Sequence, residues 1–280
     1  MSNVFPIQIE NLTKYYSYGV RGMLVKALDG VSFELHENEV LGLIGANGAG
    51  KSTTIKIILG AIKQSSGQCK VFGNPITRKT KRDIGYLPES PYFYKFLTGF
   101  ELVVFYAKLC GMTSAQARTE AMKALNLVGL DDAANRQVGV YSKGMVQRVG
   151  LAQAIVHNPR LVILDEPASG LDPVGASDMV EIIKRLKEQG KSILLCSHIM
   201  SEVEKLCDRV VALSKGKIAA IGTLDELLQK QNQTEMIFNT TDFDKMKSIE
   251  LSAQNLGVDV VQRKNARMSL AEFFKSKISK

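Results

Sequence analysis

The sequence lacks paired cysteines, a long apolar run and a concentrated block of charge, and each absence removes a class of protein. Cys69, Cys110, Cys196 and Cys207 stand far apart, with no C-x-x-C pair and no histidine at metal spacing. Neither a disulfide framework nor a zinc site is therefore expected, and the thiols read as reduced and mostly buried. Nowhere do about 18 consecutive apolar residues occur, the length a membrane-crossing helix needs. Met1–Glu10 has no basic-then-apolar layout of a secretory signal, so the chain is expected to stay in the cytosol. Lysine and arginine exceed the acids by 36 to 28, a net charge of +8, yet they are scattered. The densest run, Arg78-Lys79-Thr80-Lys81-Arg82, is short and has no interleaved aromatics, so it reads as a solvated face.

With 280 residues, 45% apolar and 23% charged, the chain can bury a full core. Ile7–Leu12 and Val31–Leu35 alternate apolar and polar residues like half-buried strands, whereas Val40–Ile44, Leu161–Leu164 and Ser192–Cys196 are continuously apolar or nearly so, like strands covered on both faces. A glycine-rich turn follows Ile44, and Ser52–Leu59 then has apolar residues at helical spacing. Glu101–Leu130 keeps a period near 3.6 broken around Gly111-Met112-Thr113, which predicts at least two helices. Ser142 stands at an N-cap before a striped helix, Met145–Val156, that Asn158-Pro159 ends. Strands alternating with helices argue for an α/β fold, a mainly parallel sheet with helices on both faces. Beyond a turn expected at Gly222-Thr223, the chain from about Gln229 is polar and weakly periodic, a small appendage. The expected division is residues 1–228, with a helical insert at about 90–158, and an appended segment 229–280.

The chemistry lies in ordered short motifs. Gly45-Ala46-Asn47-Gly48-Ala49-Gly50-Lys51-Ser52-Thr53 matches G-x-x-x-x-G-K-[ST]. Its glycines allow backbone N–H groups to turn inward around phosphate, and the following helix presents the positive end of its dipole. Lys51 is placed to reach the outer phosphates and Ser52 to hold Mg²⁺. The strand Leu161–Leu164 delivers Asp165, a candidate Mg²⁺ ligand, and Glu166, a candidate to orient or deprotonate an attacking water.

Tyr141-Ser142-Lys143-Gly144-Met145-Val146-Gln147-Arg148 comes before that strand, and Ser169-Gly170-Leu171-Asp172 and Leu195-Cys196-Ser197-His198 come after it. This order, from roughly Ile7 to Leu228, resembles the nucleotide-binding domain of the ABC transporter ATPases. The resemblance implies a P-loop NTPase fold of the ABC type, with an N-terminal antiparallel β subdomain beside the mainly parallel core sheet and the helical insert. It implies ATP and Mg²⁺ as cofactors. It also implies a site completed only in a dimer, Ser142 and Gly144 of one copy meeting the γ-phosphate held by the other. His198 maps to the histidine that contacts the γ-phosphate and steadies Glu166, and Asp172 to the loop that crosses between copies. Of Tyr15, Tyr16 and Tyr18, Tyr16 aligns best with the position that stacks on adenine.

Two positions depart from the usual family pattern. The signature reads Tyr-Ser-Lys-Gly-Met where many members have Leu-Ser-Gly-Gly-Gln, and Glu89 stands where a glutamine that senses Mg²⁺ and the membrane subunit is common; a carboxylate there can still hold Mg²⁺. Both variants resemble ATPase subunits of bacterial export systems. The resemblance therefore implies a second nucleotide-binding copy and a separate multi-span permease as partners. The protein is expected at the inner face of the membrane, with Pro91-Tyr92-Phe93-Tyr94-Lys95-Phe96 as a candidate permease contact. The alternative is a soluble ABC ATPase acting on ribosomes or nucleic acid. The tandem modules and long coiled coil of such proteins are missing, so no nucleic acid partner is expected.

Overall fold

The computed structural model describes residues 4–18, 23–228, 242–258 and 260. Two compact units divide the chain, Met1–Leu228 and Gln229–Lys280.

In the first unit, alternation carries well past the apolar residues that announce it, giving β1 (Ile7–Tyr18) and β2 (Met23–Leu35). The apolar run becomes β3 (Val40–Ile44), and α1 (Lys51–Ile58) follows the glycine-rich loop. Next come β4 (Ser66–Val71), the short β5 (Asn74–Pro75) and β6 (Ile84–Leu87). The helical stretch contains α2 (Gly99–Leu109) and α3 (Ser114–Leu127). Each opens with a reciprocal capping box, Thr98 with Glu101 and Thr113 with Gln116, and the second explains the break in periodicity. Then α4 (Lys143–Ile155) leads to β7 (Leu161–Asp165), α5 (Pro173–Glu188), β8 (Ser192–Cys196) and α6 (Met200–Leu206). The unit ends with β9 (Arg209–Ser214), β10 (Lys217–Thr223) and α7 (Leu224–Leu228).

A four-stranded antiparallel sheet has the order β2-β1-β4-β5, and a six-stranded sheet has the order β10-β9-β3-β8-β7-β6. Every pairing in the larger sheet is parallel except β9 with β10. The antiparallel subdomain, the mainly parallel core and the helical insert are therefore all present as expected. Alternate residues of the central strands divide between two cores, because successive side chains of a strand point to opposite faces. Val162, Leu164, Ile193 and Leu195 join the helices α2 to α6. Leu161, Ile163, Leu194 and Cys196 join α1 and the antiparallel sheet. Burial on both faces is why these strands read as continuous apolar runs.

Two expectations need correction. Gly222 and Thr223 form the end of β10 rather than a turn, and Thr223 Oγ1 accepts from Glu226 N. Phe93 is buried in the helical core, whereas Tyr92, Tyr94 and Phe96 around it are exposed. The thiols are mostly buried as expected, Cys110 being the exposed one of the four. In the second unit the described residues form α8 (Phe243–Asn255), capped by Asp242, with none of its residues buried.

Candidate functional site

The loop after β3 can take its shape only with glycine at two positions. Gly45 has φ of 152°, and a Cβ there would sit 2.4 Å from the Leu213 carbonyl; Gly50 has φ of 113°, and its Cβ would sit 2.7 Å from Leu28 Cδ2. The bare backbone therefore wraps tightly and leads directly into α1, whose first-turn N–H groups are free for an anion. Lys51 is buried, its ammonium folded back onto the carbonyls of Gly45 and Ala46. Asn47, Gly48 and Ser52 are exposed around the loop, Thr53 is half-buried, and Ala49 is buried against the fold.

The parallel register of β7 and β8 brings the acid and the histidine together. Asp165 pairs with Cys196, so the residues just beyond both strands meet at the carboxyl edge of the sheet. Glu166 Oε2 lies 2.6 Å from His198 Nδ1 and accepts the His198 backbone N–H at 3.2 Å. Glu166 is buried and has φ of 52°, a left-handed conformation costly for a residue with a side chain. Its N–H donates to the Cys196 carbonyl at 2.8 Å and its own carbonyl accepts from Ser169 N at 3.1 Å, which hold it there.

These residues line one cavity of about 350 Å³ with Gly45, Ala46, Asn47, Lys51, Ser52 and Glu89. Burial, then the charges of Glu166 and Glu89, push the Asp165 carboxyl up to about 6, with Lys51 and Lys56 opposing. The cavity thus has an excess of negative charge on hard oxygen donors. Among the described residues no group of three or more His, Cys, Asp or Glu side chains forms a cage for a metal ion. Ser52, Asp165 and Glu89 suit Mg²⁺, an ion commonly held by one or two carboxylates together with substrate phosphates.

A second cavity, of about 340 Å³, contains Ser142, Lys143, Gly144, Arg148, Gly170, Leu171, Asp172, Val174, Gly175 and Asp178. It shares no residue with the first. Ser142 caps α4 by accepting from Met145 N at 3.3 Å, which leaves its O–H free to donate to an anion. Asp172 caps α5, accepting from Gly175 N at 2.8 Å. Two helix N-termini therefore edge this hollow, with the Lys143 ammonium lying against Gly170.

Tyr16 lines neither cavity; it is half-buried in β1 with Lys14 Nζ 5.3 Å from its ring centre, and Tyr15 has Lys26 in a similar position at 5.4 Å. The Tyr18 side chain lies outside the described residues. Sequence reasoning missed the support behind His198: buried Ser197 donates to Glu202 Oε2 at 3.2 Å and accepts from Ile199 N at 3.0 Å. A glutamate beside Val203 and Leu206 on the apolar face of a short helix was the available signal. Asp178 of the second cavity was likewise not singled out, and Lys143 and Leu171 were read only as motif positions.

Residues 28–169, just over half of the chain, match the family described as ABC transporter. An uncharacterized ABC transporter ATP-binding protein of Nostoc sp. strain PCC 7120 is 39% identical over 98% of this chain and 90% of its own length. The linearmycin resistance ATP-binding protein of Bacillus subtilis is 39% identical over 80% of this chain and 71% of its own. A solved ATP-binding cassette, a dimer in a post-hydrolysis state with ADP and phosphate bound, has a TM-score of 0.70, is 25% identical and covers 78% of this chain and 98% of that one. A likeness that runs through nearly the whole sequence and through the fold alike establishes that the chain belongs to the ABC transporter family, as one of its ATP-hydrolysing ATP-binding subunits.

Proposed function

We propose that two copies of this chain enclose two ATP molecules and that the closing and opening of the pair drives export through a separate membrane permease. The observation that carries this reading is the separation of the two cavities on one chain. One has the phosphate loop and the Glu166–His198 pair; the other has two helix N-termini, the Ser142 hydroxyl and glycines, with Lys143 and Arg148 alongside Asp172 and Asp178, and no phosphate loop. Each is suited to half of a triphosphate, so a second copy supplies what one lacks.

In this reading Asn47 to Thr53, with Gly48 and Gly50 as bare backbone and the Ala49 methyl turned into the fold, wrap the β- and γ-phosphates, and Lys51 leaves its carbonyls to pair with them. Ser52, Asp165 and Glu89 would hold Mg²⁺, which when bound would offset charge on the phosphate oxygens. Glu166, with its carboxylate fixed by His198, orients the attacking water and accepts its proton. His198, exposed enough to reach beyond Glu166, contacts the γ-phosphate. Ser142 and Gly144 close on that phosphate from the other copy, with Asp172 at the crossing between copies, and Tyr16 stacks on adenine. Catalysis is then mainly positioning and charge stabilisation.

The resistance function in the name of the B. subtilis relative supports export. No helix among the described residues is long and apolar enough to cross a membrane, in keeping with a permease on another polypeptide. Exposed Tyr92, Tyr94 and Phe96 are its proposed contact, and the proposed location is the cytoplasm, against the inner face of the membrane. The domain reading is that residues 1–228 do this work with 229–280 as an appendage.

Glu166→Gln tests the core of the proposal. ATP affinity should be kept, turnover should fall by about 10²- to 10⁴-fold, and ATP should trap a dimer visible by size-exclusion chromatography. Parental turnover in the purified variant would remove Glu166 from its role.

A further inference from the structure

The two cavities share no residue, yet one buried side chain joins the segments that form them. Gln147 lies on α4, five residues beyond Ser142, and is 2% exposed. Its Nε2 donates to the backbone carbonyl of Glu89 at 2.8 Å. A carbonyl can only accept, so the amide must present its nitrogen to Glu89. Its Oε1 then faces inward with no hydrogen-bond partner. One turn further along the same face, a Cβ on Gly150 would sit 2.8 Å from Leu87 Cδ1 and 3.4 Å from Pro91 Cγ, so α4 and the Glu89 segment meet at close range here.

A buried acceptor without a partner is unfavourable, and methionine or leucine would fill the same space without that cost. What the amide provides that they would not is its bond to the Glu89 carbonyl. We propose that Gln147 is a positioning residue that makes Glu89, at the cation end of the first cavity, move as one piece with the α4 N-terminus that edges the second. This rests on the reading of the second cavity as the half-site for the partner copy's ATP. When that phosphate docks at Ser142, α4 shifts as a rigid rod. Gln147 then draws the Glu89 backbone with it, so Glu89 reaches its Mg²⁺-holding position only when the dimer is closed. Without the amide, α4 would still dock, and Glu89 would no longer follow.

The test uses the full chain with Gln147→Met, and Gln147→Leu as a second shape should methionine pack badly. Both remove the unpaired oxygen and at the same time take the donor from the Glu89 carbonyl, so the two effects offset and the melting temperature without nucleotide should stay close to that of the parent. Binding of a fluorescent ATP analogue in EDTA should be unchanged. In a Glu166→Gln background, the Mg²⁺ concentration giving half-maximal ATP-driven dimer should rise at least fivefold over Glu166→Gln alone. If Glu166→Gln dimerises and the double variant matches its Mg²⁺ dependence, Gln147 is a packing residue and the proposal is overturned. If Glu166→Gln forms no dimer with ATP, the half-site reading fails, and the coupling fails with it.

Discussion

Asp165 is held where a charged carboxylate is disfavoured, half-buried at the end of β7 beside two other acids. Its pKa is raised in the fold, so the penalty is complete above about 6 and disappears as pH falls towards its ordinary value near 3.8. Asp165→Asn should therefore stabilise the nucleotide-free protein at pH 7.5 by ~1 kcal/mol after allowance for partial exposure, a rise of about 2–4 °C. The gain should shrink as melting is repeated towards pH 4, while Mg²⁺-dependent ATP binding weakens throughout. A variant melting below the parent at pH 7.5 would mean that the acid is compensated in the folded state. Glu166 shows a related tension, since its left-handed backbone is held by bonds to Cys196 and Ser169. Its identity was legible from the strand and paired acids before it. Its conformation and its 2.6 Å contact with His198, 32 residues away in sequence, were not, because both depend on the register of β7 with β8.

At the scale of elements, α4 unites local and distant roles. Ser142 was legible as a cap from its position before an apolar stripe, and it does cap the helix. Substitution separates capping from the phosphate contact proposed for its hydroxyl. Ser142→Ala should cost about 1 kcal/mol of stability, whereas Ser142→Gly, tolerated at caps, should cost only a few tenths. Both should abolish ATP-driven dimerisation in the Glu166→Gln background, as read by size-exclusion chromatography. Dimer formation by the glycine variant at the parental ATP concentration would limit Ser142 to capping. Strands covered on both faces were also legible, β3 and β8 to the residue. The strands β4, β6, β9 and β10 were not read: β4 carries glycine and polar residues on its exposed half, β6 has only four residues, and β9 and β10 follow no motif. Pairing with established neighbours makes them strands, a tertiary effect that overrides weak local preference.

For the whole molecule, the first unit contains both hydrophobic cores, and no described residue of the second is buried. A chain ending at Leu228 should therefore fold, with a melting temperature within about 2 °C of the full chain, since a loss of even 1 kcal/mol moves a domain of this size by more. A much larger drop in calorimetry would show that the appendage supports the fold. Sequence alone determined the class of fold, the phosphate loop and the identities of the acids and the histidine, because strand and helix periodicity and short contiguous motifs are local properties. Which residues meet was decided by tertiary structure. Parallel register set Glu166 beside His198, a buried amide tied Glu89 to α4, and the same chain kept its two cavities apart. These outcomes depend on strand order and helix packing between segments distant in sequence, and no local pattern encodes such distances.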